Sequence, residues 1–163
     1  CGAGDVRSDA QPRCAGRMIE LVEDVGGVVA EFVGRLIPGG ERGFDKASAI
    51  GFVDDGNLVA GLVYHDYQPE AGVVEISAAS NSKRWLTRRT LFAIFSIPFD
   101  RWRCQMVVMR TRADNHQDNG RGIARIALSY GFTQTLIPRL YCRESDCILH
   151  CLTEEAWRQN GYH

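Results

Sequence analysis

Three apolar segments separated by turn signals run from about Ala49 to about Ala79, and they constrain the fold more than any other feature of the chain. Asp55-Gly56 stands between the first two segments, and this dipeptide readily adopts the positive φ angles of a two-residue hairpin turn. The turn-forming stretch QPEAG, positions 68–72, joins the second segment to the third. The sequence therefore predicts a three-stranded meander.

Three other segments have the periodicity of amphipathic helices. The first is EDVGGVVAEFVGRLIPGG, with one apolar side formed by Val25, Val28, Val29, Phe32, Val33 and Leu36. The second is RWLTRRTLFAIFSIPF, which Pro98 terminates and whose apolar side comprises Leu86, Thr90, Leu91, Ile94, Phe95 and Ile97. The third is in NHQDNGRGIARIALSYGF, with Gly131 placed as a C-cap and with core positions at Ile123, Ile126, Ala127 and Tyr130.

Strands are predicted around these helices. They are MIELV from Met18, CQMVVMRTR from Cys104, and a final pair, TQTLIPRLYC and CILHCLT, joined at Arg143 to Asp146; a short polar helix starts at Glu154. The resulting order, β-α-β-β-β-α-β-α-β-β, predicts an α/β fold with a mixed, mostly antiparallel central sheet and helices on both faces.

Length, charge and cysteine content limit the class of protein. A chain of 163 residues suits one domain, and a formal net charge of −1 does not suit a general binder of nucleic acid or anionic membrane. No apolar run is long enough to span a bilayer and no segment reads as a signal peptide, so we expect a cytoplasmic protein with six reduced cysteines. Residues 1–17 read as a flexible leader, either added artificially or upstream of a natural start at Met18, and 18–163 as the domain.

The stretch EISAASNSKRWLTRR leads from a strand into a basic helix start, and it is the main functional signal of the sequence. Lys83, Arg84, Arg88 and Arg89 cluster there. Helix N-terminal amides together with cations form binding sites for phosphate groups. The alternative is a solvated basic helix face with no ligand.

The element order and several local motifs resemble the GCN5-related N-acetyltransferase (GNAT) superfamily over about Met18 to Thr153. ISAASNSKRWLTRRTLF looks like its fourth strand, pyrophosphate loop and third helix, VVMRTRADN like its fifth strand, and RIALSYGF like its fourth helix. RWLTRR and the preceding EIS also look like members borne by phages and prophages. The resemblance implies acetyl-CoA as co-substrate, held in a gap between the fourth and fifth strands, and no metal.

The same resemblance implies the cofactor-binding residues. It assigns them to the strand end, the basic loop and the end of the fifth strand: Ile76, Ser77, Ala78, Lys83, Arg84, Trp85, Leu86, Thr87, Arg88, Asn115 and Asn119. Two departures stand out. Lys83 falls at the family's Arg/Gln position, while Leu86 and Arg88 occupy its two glycine positions, where glycine allows close backbone approach to a diphosphate.

Three side chains are candidates for proton transfer. In the family an acid in the fourth strand often acts as general base, which points to Glu75; the alternative is a structural carboxylate paired with a strand arginine such as Arg110. His65, near the end of the third strand beside Tyr67, is a second candidate base, against the alternative of a plain surface histidine. The family's general-acid tyrosine falls at Ala127, so Tyr130 is the nearest replacement.

CRESDCILHC also invites a metal interpretation, but strand alternation places Cys147 and Cys151 on one face and His150 on the other. Without paired CxxC knuckles, buried apolar thiols explain it better.

The sequence thus favours an N-acetyltransferase for a primary amine, on a small molecule or a protein. The alternative is a catalytically decayed GNAT-fold binding protein with a protein partner. A nucleic-acid ligand is disfavoured, no membrane partner is expected, and the last hairpin offers a surface for a homodimer.

Overall fold

The computed structural model describes residues 19–114 and 122–161, so the predicted leader, residues 1–17, lies outside the described residues. These ranges form one sheet with seven strands: β1 (Glu20–Glu23), β2 (Ser48–Asp54), β3 (Asn57–Gln68), β4 (Val73–Ser80), β5 (Met106–Arg112), β6 (Thr133–Cys142) and β7 (Ser145–Thr153). Their α-helices are α1 (Val28–Leu36), α2 (Arg88–Ser96), α3 (Ile123–Tyr130) and α4 (Glu154–Gln159). A 3₁₀ turn covers Gly40–Arg42, and a π-helical turn, Ile97–Arg101, continues α2.

The strand order is β1-β2-β3-β4-β5-β7-β6. Every neighbouring pair is antiparallel except β4 and β5, which are parallel. The meander prediction is confirmed by β2, β3 and β4, and the hairpin between the first two turns at Asp55 (φ 56°) and Gly56 (φ 76°). The predicted mixed, mostly antiparallel sheet is therefore the observed one.

Helix α1 covers one face of the sheet, and a glycine lets it approach. A Cβ at Gly61 in β3 would lie 2.8 Å from side-chain carbons of both Val29 and Val33 of α1. Such distances are shorter than van der Waals contact, so only glycine fits here without moving the helix. Side chains of β3 at odd positions, including Val63 and His65, share this face with Gly61.

The remaining helices pack on the opposite face. The hydroxyl of Tyr64 donates to the carbonyl of Ile94 in α2 at 2.7 Å, and burial raises the pKa of this phenol. The rings of Phe95 and Tyr130 stack at 4.9 Å between centroids, which joins α2 to α3. Trp157 of α4 stacks on Phe99 at 5.1 Å. Helices thus lie on both faces, as the sequence predicts.

The predicted apolar side of α1 is wrong in part. Val29 and Val33 are buried, whereas Val25, Val28 and Leu36 are exposed. The helix begins only at Val28, because Gly26 and Gly27 adopt φ of 78° and 80° and Asp24 accepts hydrogen bonds from the amides of Val29 and Ala30. Val25 therefore precedes the helix and takes no place on its inner face.

The predictions for α3 and α2 also need correction. Ala124, Ala127 and Tyr130 face the core through α3, while Ile123 and Ile126 are each 43% exposed. The predicted core positions Ala127 and Tyr130 are therefore confirmed, and those at Ile123 and Ile126 are wrong. The predicted cap is confirmed, since Gly131 has φ 112° and donates to the carbonyls of Ala127 and Leu128.

Helix α2 begins at Arg88, later than the periodicity suggests. Thr87 is its N-cap: its hydroxyl accepts from the amide of Thr90 at 3.2 Å, and the hydroxyl of Thr90 accepts from the amide of Thr87 at 2.7 Å. This reciprocal capping box fixes the start of the helix. Residues up to Leu86 are consequently loop, with Trp85 and Leu86 packed against the core.

Candidate active site

The neighbouring strands β4 and β5 separate from each other within the sheet. They pair only at Val73–Met106, Val74–Val107 and Glu75–Val108, although both strands continue beyond these residues. Past this point β4 remains paired with β3, and β5 remains paired with β7. The neighbouring ladders therefore hold the two strands apart, and the gap expected from the family resemblance is present.

Glu75 stands where the gap opens. Arg110 on β5 donates from Nε to Glu75 Oε1 at 2.6 Å, and the side chains of Glu75 and Arg110 are 15% and 41% exposed. This hydrogen bond raises the pKa of Arg110. The sequence leaves Glu75 as either a base or the partner of a strand arginine, and the structure shows that the ion pair exists.

His65 lies directly opposite Glu75 in the β3–β4 ladder and is only 8% exposed. The alternative of a plain surface histidine is therefore wrong. Its Nδ1 lies 2.8 Å from Asp66 Oδ2, and its Nε2 lies 2.9 Å from the hydroxyl of Ser77. The ring of Phe44 covers it, with 5.1 Å between ring centroids.

Sequence reasoning missed Asp66, because consecutive strand residues normally point to opposite faces. Here the β3–β4 register shifts between His65 and Gln68, and Asp66 takes a left-handed φ of 49°. That backbone change brings the carboxylate round to the imidazole. Its neighbour Tyr67 is exposed, and its hydroxyl donates to the carbonyl of Trp102 at 3.4 Å.

The basic loop extends from β4 to the start of α2. Lys83, Arg84 and Arg88 are exposed, so their charges face solvent near the first turn of α2. Trp85 instead packs on Phe52, with ring centroids 5.0 Å apart. Of the loop's predicted ligand residues, the three cations are thus exposed, whereas the indole packs against the core.

Tyr130, the predicted general acid, does not join this group. Tyr130 is 3% exposed and stacks on Phe95 in the core. The two asparagines, Asn115 and Asn119, lie outside the described residues.

His150 is a further buried polar residue that the sequence interpretation assigned no role. It is 0% exposed, and its Nε2 lies 2.8 Å from the hydroxyl of Thr111. The ladder with β5 places Cys151 opposite Val108 and His150 opposite Met109, on different faces as predicted. Burial raises the pKa of the thiols of Cys147 and Cys151.

Metal-ligand atoms of His65, Asp66 and Glu75 lie within 4.8 Å of one another. The same atoms already serve the hydrogen bonds described above, and the Arg110 guanidinium adjoins the group. A neighbouring cation disfavours a metal ion, so a hydrogen-bonded network describes these residues better.

Among the residues that the structure describes, no helix has both the length and the apolar character that a membrane crossing requires.

No protein-family model matches this sequence, and no curated protein matches it. Solved structures do resemble it. A structure of mutant forms of the spermidine/spermine N-acetyltransferase SpeG from Vibrio cholerae has a TM-score of 0.69 at 9% identity, over 88% of this chain and 99% of that one. A dodecameric structure of spermidine N-acetyltransferase from Vibrio cholerae gives 0.66 at 9% identity, over 88% and 98% of the two chains.

A structure described as a probable acetyltransferase gives a TM-score of 0.56 at 14% identity. The match covers 68% of this chain but only 63% of the other, which is less than two thirds of its length. None of these three structures is described as borne by a phage, so that finer resemblance stays a prediction. The shared feature is the architecture, and the chain therefore has the fold of the GCN5-related N-acetyltransferases.

Proposed function

We propose that this protein is an N-acetyltransferase that moves an acetyl group from acetyl-CoA to a primary amine by direct attack. The parting of β4 and β5 after Glu75 and Val108 is the observation that carries the proposal. Strand backbone groups that lack a partner strand can bond an extended ligand, and the amide-containing arm of coenzyme A is such a ligand. In this proposal the backbone of Ile76, Ser77 and Ala78 bonds that arm.

The diphosphate of acetyl-CoA would bind at the start of α2. Lys83, Arg84 and Arg88 supply positive charge, and the helix N-terminus adds its own partial charge. The side chain of Thr87 already caps the amide of Thr90, so the loop offers fewer amides than a glycine-rich one. We accordingly assign most of the affinity to the cations. Asn115 and Asn119 remain proposed contacts of the arm.

The reaction needs a proton acceptor, because an ammonium group has no lone pair with which to attack a thioester. The neutral amine adds to the carbonyl carbon, and backbone amides past Glu75 stabilise the oxyanion that forms. The nitrogen of this adduct loses its extra proton, and the C–S bond then breaks. The departing thiolate takes up a proton. Tyr130 remains the proposed donor, although its burial against Phe95 equally serves packing.

Glu75 and His65 both remain proposed bases, since they face each other across β3 and β4 at the opening of the gap. A base contributes about 10²- to 10⁴-fold to such a step. Glu75→Gln and His65→Gln should therefore show which residue is the base. The variant that lacks the base should have kcat lowered by this factor, and the other variant should retain most of its kcat. Comparable loss in both variants would mean that the pair acts together.

Binding of acetyl-CoA is tested most directly by thermal stabilisation. A ligand at 100 times its Kd adds about 2.7 kcal/mol to the free energy of unfolding. We expect acetyl-CoA, but not acetate, to raise Tm, and Arg88→Glu to abolish that rise. Arg143→Glu, in the turn between β6 and β7, is the matched charge reversal and should leave it intact. No stabilisation of the unaltered protein would refute the proposal.

The amine acceptor can then be sought by a thiol-release assay with amines of increasing size. Polyamines belong in that panel because two of the similar structures are spermidine acetyltransferases. Lysine-containing peptides test a protein acceptor, and a dimer through the β6–β7 hairpin is tested by the mass of the protein in solution.

A second candidate function is a GNAT-fold binding protein without catalysis. The capping of α2 by its own threonines favours it, as do the exposed apolar side chains Val25, Val28 and Leu36. Acetyl transfer to an amine would exclude this candidate, and a protein partner that binds without acetyl-CoA would support it.

A further inference from the structure

Ser77, His65 and Asp66 are hydrogen-bonded in a row. The hydroxyl of Ser77 lies 2.9 Å from His65 Nε2, and His65 Nδ1 lies 2.8 Å from Asp66 Oδ2. An ionised carboxylate only accepts hydrogen bonds, so Nδ1 carries the proton and donates it to Asp66. Nε2 is then the acceptor, and it receives the hydrogen bond of Ser77. This is the order of groups that activates a serine nucleophile on many unrelated folds.

Regular strand geometry would not produce this row. Asp66 directly follows His65, and its carboxylate reaches the same imidazole only because of the register shift and the left-handed φ of 49°. Non-glycine residues adopt that conformation at a cost, and such strained positions concentrate at functional sites. Asp66 is also exposed, so the contact is not forced by core packing.

Ser77 is accessible and lies beside the gap. It is the second residue of β4 after Glu75, where pairing with β5 ends, and its side chain is half-buried. A carbonyl group entering the gap would meet the Ser77 hydroxyl and the β4 backbone amides together. A nucleophile and potential oxyanion donors would thus converge on one position.

We propose that Ser77 is a catalytic nucleophile that removes acyl groups from thioesters and activated esters, a hydrolytic activity distinct from amine acetylation. Ser77 Oγ attacks the carbonyl carbon while its proton passes to His65 Nε2. The tetrahedral adduct collapses, the bond to the leaving sulfur or oxygen breaks, and the imidazolium protonates that leaving group. An acyl ester of Ser77 results.

Water completes the cycle. His65 takes a proton from a water molecule, whose oxygen adds to the acyl-serine carbonyl. The bond between that carbonyl and Ser77 Oγ then breaks, and His65 returns the proton to the hydroxyl. The net reaction converts a thioester and water into a thiol and a carboxylic acid, without an oxidant or a further reactant. Asp66 acts as a positioning residue that holds the imidazole in the required tautomer.

The test uses the full chain and p-nitrophenyl acetate, a small ester that does not need a coenzyme A site. We expect a burst of p-nitrophenol and an acetyl group on Ser77 by mass spectrometry. Ser77→Ala should abolish both, and His65→Gln should slow acylation about 10³-fold or more. Ser96→Ala is the control. The part-buried hydroxyl of Ser96 lies on α2, on the other face of the sheet, and donates to the carbonyl of Ala93.

Two further variants guard against misfolding and against a purely structural role. Ser77→Cys retains a nucleophile and should still become acetylated if the surrounding fold is intact. Asp66→Asn should lower kcat with little change in KM, whereas Asp66→Glu should restore part of the rate. Absence of acetyl-Ser77 in the unaltered protein, or an undiminished burst in Ser77→Ala, would overturn the proposal. Neither result depends on whether amines are acetylated, so this test and that of the proposed function fail separately.

Discussion

The ion pair between Glu75 and Arg110 makes a quantitative prediction about the opening of the gap. The contact is 2.6 Å long, with 15% of the Glu75 side chain and 41% of the Arg110 side chain exposed. Hydrogen bonds to charged groups contribute about 1.5–3 kcal/mol when buried, and exposed ion pairs about 0.2–1 kcal/mol. This pair lies between these cases, so we expect a coupling energy of about 1–2 kcal/mol.

A double-mutant cycle measures that coupling. Urea unfolding of Glu75→Gln, Arg110→Met and the combined variant gives three changes in the free energy of unfolding. Each single variant should destabilise the protein, and the double variant should lose less than the sum. The exposed local pair of Arg112 and Asp114 supplies the comparison cycle, with a smaller expected coupling. Additivity of the Glu75 and Arg110 effects within about 0.3–0.5 kcal/mol would refute the reasoning.

The same variants separate the two interpretations of Glu75. If the carboxylate only ties β4 to β5, Arg110→Met should lower acetyl transfer as much as Glu75→Gln does. If Glu75 takes up the proton of the amine, Glu75→Gln should lower kcat further in the Arg110→Met background. Equal activities of the single and double variants would exclude Glu75 as the base.

Two further predictions follow from contacts outside the site. Gly61→Ala should destabilise the fold by about 1–3 kcal/mol, because the added Cβ would lie 2.8 Å from side chains of α1; a Tm equal to that of the unaltered protein would contradict the close approach. The hydrogen bond with Ser145 lowers the pKa of the exposed Cys142 thiol, so Ser145→Ala should raise that pKa. The pH midpoint of alkylation by iodoacetamide should then move upward, and an unchanged midpoint would show that the bond does not control the thiol.

The sequence predicts most of the sheet because its signals are local. Asp55-Gly56 needs no tertiary context to favour a hairpin, and the alternation of apolar side chains on either side gives the strands. The sequence also suggests Arg110 as the partner of Glu75. A carboxylate in an apolar strand needs a partner, and Arg110 lies on the next predicted strand.

The sequence does not predict the contacts that depend on a break in regular geometry. Asp66 reaches His65 because it adopts a left-handed φ angle, and no turn signal in the neighbouring sequence predicts that angle. Helix α2 begins late because two threonines cap each other, a contact that competes with the helical periodicity of the residues before it. The inner face of α3 is formed by Ala124, Ala127 and Tyr130, whereas the apolar periodicity of the sequence also admits Ile123 and Ile126.

Two irregularities of the sheet meet at one row of residues, and this coincidence explains the placement of the candidate site. On one side of the His65–Glu75 pair the β3–β4 register shifts, and on the other side β4 separates from β5 after Glu75 and Val108. Regular pairing would orient Asp66 away from His65 and close the gap beside Ser77. Both departures interrupt regular strand pairing, and such local departures are expected at functional sites. A variant that restores regular β3–β4 pairing but leaves β4 and β5 separated should therefore lose Ser77 acylation. The gap should remain open to acetyl-CoA in that variant.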